Sequence, residues 1–178
     1  MPQIDIRQVD ITQLDVDAIV NAANDRLAGG GGVDGAIHAA AGPCLMEACK
    51  ALGGCPTGEA KATQGFELKA RWVIHAVGPV WRGGGEGEPT QLACAYRSAL
   101  SEAARVGARR VAFPAISAGT YGYPLRDAAL IALTVVTGWL AVNPQPYQVV
   151  LCAYSPEVDA VYRELAEALL GPGAPASS

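Results

Sequence analysis

At 178 residues the chain has room for one hydrophobic core and little material for a second. Half of it (51%) is hydrophobic and only 17% is charged, which excludes disorder along its whole length. Thirteen Lys and Arg stand against 17 Asp and Glu, for a net charge of −4, and no basic run occurs; an extended nucleic-acid surface is excluded, and any nucleotide it binds is small and held in a pocket.

The opening MPQIDIRQVD lacks a basic region followed by an apolar stretch, so no signal peptide is expected. The five cysteines (Cys44, Cys49, Cys55, Cys94, Cys152) are odd in number and form no CxxC pair. Reduced thiols and a cytoplasmic location follow as expectations. Ile4 and Ile6 alternate with polar neighbours and predict a strand over residues 3–9. Ala18-Ile19-Val20 reads as a buried strand ending at Asn21. Gly29–Gly32 then leads into a helix from Asp34 to Ala41, and a second helix spans Pro43 to Leu52, stopped by Gly53-Gly54. Residues 60–67 and 72–77 predict two strands with a turn near Lys69-Ala70.

The excursion Arg82–Pro89 (RGGGEGEP) reads as a flexible surface loop, after which Thr90 is expected to cap a helix closed by Gly107. Arg110 to Ala115 is a buried strand leading to the loop Ser117–Tyr123. Pro124, at the first helical position, opens a helix to about Val142. Its apolar stretch, Ala128 to Val142, is broken by Thr134, Thr137 and Gly138 and reads as a core helix, so no membrane contact is expected. Tyr147 to Ala153 is the last strand, Ser155-Pro156-Glu157 opens the last helix, and Gly171 ends it. Residues 1–170 are thus expected to form one domain, with 171–178 a flexible tail. Alternating strands and helices predict an α/β sheet with helices on both faces.

In open α/β sheets ligands bind beyond the carboxyl ends of the strands. The two most glycine-rich strand-to-helix connections, 24–34 and 117–123, both meet that condition. Each can aim backbone N–H groups and a helix N-terminus at an anion, and two facing cradles suit a diphosphate. Gly30-x-Gly32-x-x-Gly35 formally matches a dinucleotide fingerprint. Eight residues (Asn21 to Ala28) separate strand from glycines, however, and the region about 20 residues on, Cys55-Pro56-Thr57-Gly58, is no strand end. With no GK[ST] either, the chain is neither a Rossmann nor a P-loop protein. The plainer alternative is that the glycines merely make tight turns.

Several segments carry a closer likeness: Asp10-Ile11-Thr12, Asn21-Ala22-Ala23-Asn24, Gly29 through His38, Thr57-Gly58-Glu59-Ala60, Val73 through Pro79, and Phe113 through Pro124. In order, from about residue 4 to residue 168, they resemble macrodomains, and more narrowly the MacroD-type branch. Val9 departs from the glycine usual before Asp-Ile-Thr; only a small backbone effect is expected. The resemblance implies a three-layer α/β/α fold with a mixed, mostly parallel six-stranded sheet. It also implies binding of ADP-ribose and hydrolysis of esters on its distal ribose. Those esters are O-acetyl-ADP-ribose and mono-ADP-ribose on acidic side chains of modified proteins. No cofactor is implied.

The resemblance assigns Asp10 to the adenine amino group and the Ile11 amide to the ring; the residues alone leave Asp10 equally open to an ordinary turn role. Tyr154, at the end of the last strand, is placed to stack on adenine, against the plainer reading of a half-buried tyrosine. Gly31, Gly32 and Val33 belong to the first cradle; Ser117, Ala118, Gly119, Thr120, Tyr121 and Gly122 form the second. Tyr121 is placed to cover the distal ribose. Asn24 offers a donor and an acceptor for ribose hydroxyls, while Asn21 is expected to tie down its own loop. Asp34 is the candidate for chemistry, against the alternative of a routine helix cap. His38 shares its helical face and stays open between orienting Asp34 and simple packing.

No GxSxG and no recognisable Ser or Cys partner for either histidine occurs, which points to direct attack by water. Asp34 or the substrate's own phosphate could take the proton. The spacings of Cys44, Cys49 and Cys55 fit no zinc motif, so no metal is expected. Two other functions stand beside hydrolysis: a non-catalytic reader of ADP-ribose, against which Asn24 and Asp34 argue, and a nucleotide-dependent oxidoreductase, which fails on the fingerprint.

Overall fold

A computed structural model describes residues 3–172. Six strands form one sheet: β1 (Gln3–Gln8), β2 (Ala18–Ala22), β3 (Ala60–Gln64), β4 (Trp72–Ala76), β5 (Arg110–Phe113) and β6 (Gln148–Ala153). Their order across the sheet is β1-β6-β5-β2-β4-β3. Every neighbouring pair is parallel except β3–β4, so five carboxyl ends share one edge. The expected mixed, mostly parallel six-stranded α/β fold is the one observed.

The strand period of two sorts the sheet residues onto two faces. One face, with Val20, Ile74, Val111, Phe113, Val149 and Leu151, packs under α3 (Glu88–Arg105), α4 (Leu125–Val142) and α5 (Pro156–Leu170). The other, with Ile19, Val73, Ala112 and Val150, packs under α1 (Gly32–Ala41) and α2 (Cys44–Leu52). The apolar α4 sends Ala128, Ala129, Ala132, Leu133, Val136 and Leu140 into the first of these layers.

Several local expectations are corrected. The helix expected to be capped by Thr90 starts three residues earlier, at Glu88, behind Gly87 in the left-handed region. Pro89 suits the first turn because its missing N–H would have had no helical partner. The preceding loop is organised rather than flexible. The buried Glu88 carboxylate accepts from the N–H groups of Arg82 (2.9 Å), Gly84 (2.8 Å) and Glu86 (2.6 Å). Burial alone would push this carboxyl up; the backbone bonds outweigh it and hold the pKa down at about 2. Pro124 precedes α4 as its N-cap, with extended ψ, rather than sitting inside it. A 3-10 turn at Ile11–Gln13, which the sequence reading lacks, is held by Asp10. Ser155 does cap α5, its Oγ accepting from the Val158 N–H at 3.3 Å. Of the expected flexible tail, residues 173–178 lie outside the described residues.

Candidate functional site

At the shared carboxyl edge lies a cleft of about 890 Å³, a size typical of small-molecule sites. Residues following β1, β2, β4, β5 and β6 all reach it. The charged residues lining it are Asp10 and Asp34; among the described residues no Lys or Arg does so. An anion held there must therefore be met by backbone groups.

The first cradle is the start of α1. Gly31 is the N-cap, with no side chain capping the helix, and the first helical bond runs from the Gly35 N–H to the Gly31 carbonyl. The N–H groups of Gly32, Val33 and Asp34 are thus the orphan donors of a helix N-terminus, facing the cleft with the dipole's positive end. Gly32 has φ +56°, which a side-chain-bearing residue rarely adopts, and open space lies where a Cβ would stand. Asn24 secures the approach: its Nδ2 donates to the Gly29 carbonyl at 2.8 Å and its Oδ1 accepts from the Ala28 N–H at 3.0 Å. One amide hydrogen and one lone pair remain for a ligand, and Asn24 lines the cleft.

The second cradle follows β5. The Tyr123 N–H donates to the Ser117 carbonyl (2.9 Å) and the Gly122 N–H to the Gly119 carbonyl (2.9 Å), closing the loop on itself. Ser117 has φ +65° and is held by its hydroxyl, which donates to the Pro79 carbonyl at 2.7 Å. Among the described residues the N–H groups of Ser117, Gly119, Thr120 and Tyr121 have no protein acceptor. Ser117, Gly119, Thr120 and Tyr121 line the cleft, whereas Ala118 and Gly122, expected to do so, do not. The half-buried Tyr121 separates the cleft from a smaller cavity of about 280 Å³, and its phenol is pushed up by burial and by the nearby Asp25 and Asp34.

At the opposite end stand Asp10, Ile11 and Tyr154. Asp10 Oδ1 accepts from the Thr12 N–H (3.0 Å) and the Thr12 hydroxyl (2.7 Å), so the turn role holds whether or not the exposed carboxylate also meets a ligand. Tyr154 is 65% exposed, which removes the half-buried alternative and leaves a ring face open. The Cys152 thiol also lines the cleft; burial pushes its pKa up to about 12, so it stays protonated and is no nucleophile at neutral pH.

Asp34 is not the cap of α1. It is the third helical residue, 6% exposed, and its carboxylate turns inward. Oδ1 accepts from Asn21 Nδ2 at 2.9 Å and lies 3.4 Å from His38 Nε2. Oδ2 has no donor among the described residues and sits beside Gly30 at the cleft wall. Asn21, expected to tie down its own loop, is instead wholly buried and bridges Asp34 to His75, whose Nδ1 is 3.2 Å away. The reason is strand register: Asn21 and His75 are paired across β2 and β4, beneath α1.

Sequence reasoning missed Gly78, Pro114, Ala115 and Ile116, which also line the cleft. Gly78 had a legible signal, its place directly after a buried strand. A Cβ there would collide with Ser117 Oγ and stand 2.6 Å from Ile116 Cγ2, so glycine allows the second cradle to pack against β4's exit. His75 lies within the Val73–Pro79 segment, where nothing local signals a role for it. Cys49 and Cys55 are buried and Cys44 is exposed; among the described residues no group of three metal-ligating side chains converges.

Comparison with known proteins gives a consistent result. Residues 20–132 match the family described as Macro domain. A macro domain-containing protein of Xanthomonas campestris is 53% identical over 94% of this chain and 95% of its own length. A Cronobacter sakazakii protein named O-acetyl-ADP-ribose deacetylase is 52% identical over 92% of this chain and 93% of its own. The structure of a Trypanosoma brucei macrodomain in complex with ADP-ribose superposes with a TM-score of 0.85 and 41% identity, covering 91% of this chain and 68% of that one. Matched by family profile over more than half its length and by relatives over nearly all of it, the chain belongs to the macro domain family.

Proposed function

We propose that this chain binds ADP-ribose along the cleft and, as a MacroD-type enzyme, hydrolyses esters on the distal ribose. The substrates are O-acetyl-ADP-ribose and proteins carrying mono-ADP-ribose on Asp or Glu. Adenine stacks on Tyr154 with its amino group toward Asp10 and the ring against the Ile11 amide. The diphosphate lies between the two sets of free backbone N–H groups, which supply charge complementarity without a single cationic side chain. The distal ribose then falls between Asn24, Asp34 and Tyr121.

The observation that carries the reading is the Asp34 carboxylate: buried, anchored through one oxygen, and open to the cleft through the other. A water held by Oδ2 attacks the acyl carbonyl. Its oxygen forms the new C–O bond, its proton passes to Asp34, and the bond from the acyl carbon to the ribose oxygen breaks. The proton then returns to that ribose oxygen, leaving a free carboxylic acid and ADP-ribose. Cys152, held as a thiol, supports a route without a covalent intermediate. The names of the deacetylase relative and of the ADP-ribose complex support the ligand and the reaction class.

The test is incubation with glutamate-linked mono-ADP-ribosylated protein, following release of ADP-ribose. Release by the wild type and its loss in Asp34→Ala support the hydrolase. Tight binding of ADP-ribose without release would make the domain a reader. Release that survives Asp34→Ala would move the base to the substrate phosphate.

A further inference from the structure

The proposed reaction makes no use of the polar pair behind Asp34. Asn21 (0% exposed) and His75 (1%) lie in the layer between the sheet and α1/α2, among Ile19, Ile37, Val73 and Leu45. Two polar side chains there are unfavourable unless hydrogen bonds replace water.

Those bonds form a connected series. Asn21 Nδ2 lies 2.9 Å from Asp34 Oδ1 and 3.2 Å from His75 Nδ1. The orientation of the amide follows from charge: turned over, its oxygen would face the Asp34 carboxylate. Because Nδ2 only donates, His75 Nδ1 must accept, and the imidazole hydrogen sits on Nε2. That nitrogen lies 3.0 Å from Thr63 Oγ1, whose hydroxyl donates to the Gln64 carbonyl at 3.1 Å. Every hydrogen in the series has one acceptor, while the buried Asn21 Oδ1 has no partner among the described residues. The ring is therefore neutral; a second ring proton would confront the Asn21 amide hydrogens. The titratable groups that face it are Asp34 and His38 on α1 and Cys49 on α2, with Sγ 3.7 Å from Nε2, and Thr63 faces it from β3; of these His38 opposes a second ring proton and the Asp34 carboxylate, satisfied by Asn21, favours one. Lys61, also on β3, directs its ammonium to the Gly54 and Leu52 carbonyls instead.

We propose that His75 is a positioning residue for Asp34: by accepting one hydrogen of the Asn21 amide it fixes the other on Asp34 Oδ1, which holds Oδ2 toward the cleft. Without that acceptor the amide can turn about its terminal bond, and the carboxylate loses its inward anchor. The catalytic part of this inference rests on the hydrolase reading; the anchoring part does not.

Two substitutions separate positioning from packing. His75→Asn offers an amide oxygen close to where Nδ1 stands, whereas His75→Leu fills space and accepts nothing. Turnover is measured on the glutamate-linked substrate per ADP-ribose-binding site counted by calorimetry. NMR follows exchange of the Asn21 side-chain amide hydrogens. His75→Leu should lower kcat about 10–100-fold, the scale of lost outer-shell support, with KM and ADP-ribose affinity within about twofold of wild type. Its Asn21 amide hydrogens should exchange faster. His75→Asn should restore both readouts most of the way. A His75→Leu variant with unchanged kcat per site, only fewer sites or a lower Tm, would overturn the proposal. Unchanged Asn21 exchange in His75→Leu would overturn it as well. If the wild type itself releases nothing, the hydrolase reading fails, and the Asn21 exchange comparison alone decides whether His75 anchors the amide.

Discussion

The two faces of the sheet use the same strands differently. Under α3, α4 and α5 the strands present Val20, Ile74, Phe113 and Leu151, and the buried hydroxyls there belong to tyrosines such as Tyr96. Burial pushes the Tyr96 phenol up to about 12, so it keeps one charge state across the physiological range. Under α1 and α2 the same strands insert Asn21 and His75 and give up apolar contact to hold one carboxylate. One face provides cohesion; the other gives some of it up to orient a group at the cleft. The helix starts repeat the contrast. The N-terminus of α5 is capped by Ser155, while that of α1 carries no side-chain cap and opens on the cleft.

The largest expected effect lies on the polar face. Asp34→Ala should reduce ester hydrolysis about 10²–10⁴-fold, the scale of a lost acid–base group. ADP-ribose affinity measured by calorimetry should hold or rise, because a carboxylate near the diphosphate is removed. Near-normal turnover with a lowered Tm would make Asp34 part of the core only.

The second effect sharpens the comparison through pH. Burial, with His38 nearby adding to it, pushes His75 down to about 4 from its ordinary 6.5. The unfolded chain takes up this proton near pH 6.5 and the folded chain refuses it until about pH 4. Stability from His75 is thus complete above 6.5 and falls as pH drops from 6.5 toward 4, by about 3 kcal/mol in all. Urea titrations of wild type and His75→Asn across that window should diverge by this amount; parallel curves would contradict a neutral buried ring.

At the nucleoside end, Tyr154→Ala should weaken ADP-ribose binding by about 1–3 kcal/mol. Because the side chain is 65% exposed, Tm should not change. A fall in Tm without loss of affinity would assign the ring to the fold instead. The smallest effect tests the helix starts. Ser155→Ala should cost about 1 kcal/mol of stability in denaturant titration and leave ligand affinity alone. A change in affinity would mean that the two helix ends are coupled.

Much of this architecture is legible in the sequence. Ile4 and Ile6 announced β1, Gly53 stopped α2, Ser155-Pro156 opened α5, and the two glycine loops marked the carboxyl edge of the sheet. These are local signals, carried by residues whose conformational limits act over one or two turns. Glu88 shows where such signals end. RGGGEGEP has the composition of a flexible loop, yet one carboxylate six residues beyond Arg82 gathers three backbone N–H groups and orders it.

The sequence by itself determined the periodicities, the helix stops and the glycine positions, and through its motifs it pointed to Asp10, Asn24, Asp34, Tyr121 and Tyr154 as cleft residues. Only the tertiary structure decided what Asn21 and His75 do. They are 54 positions apart, and nothing local distinguishes an asparagine tying its own loop from one reaching a carboxylate on a helix. Strand register settles it: pairing β2 with β4 sets Asn21 opposite His75, and α1 packed over them supplies Asp34. Hydrogen bonds depend on distance and direction in space, and those exist only once the sheet has assembled.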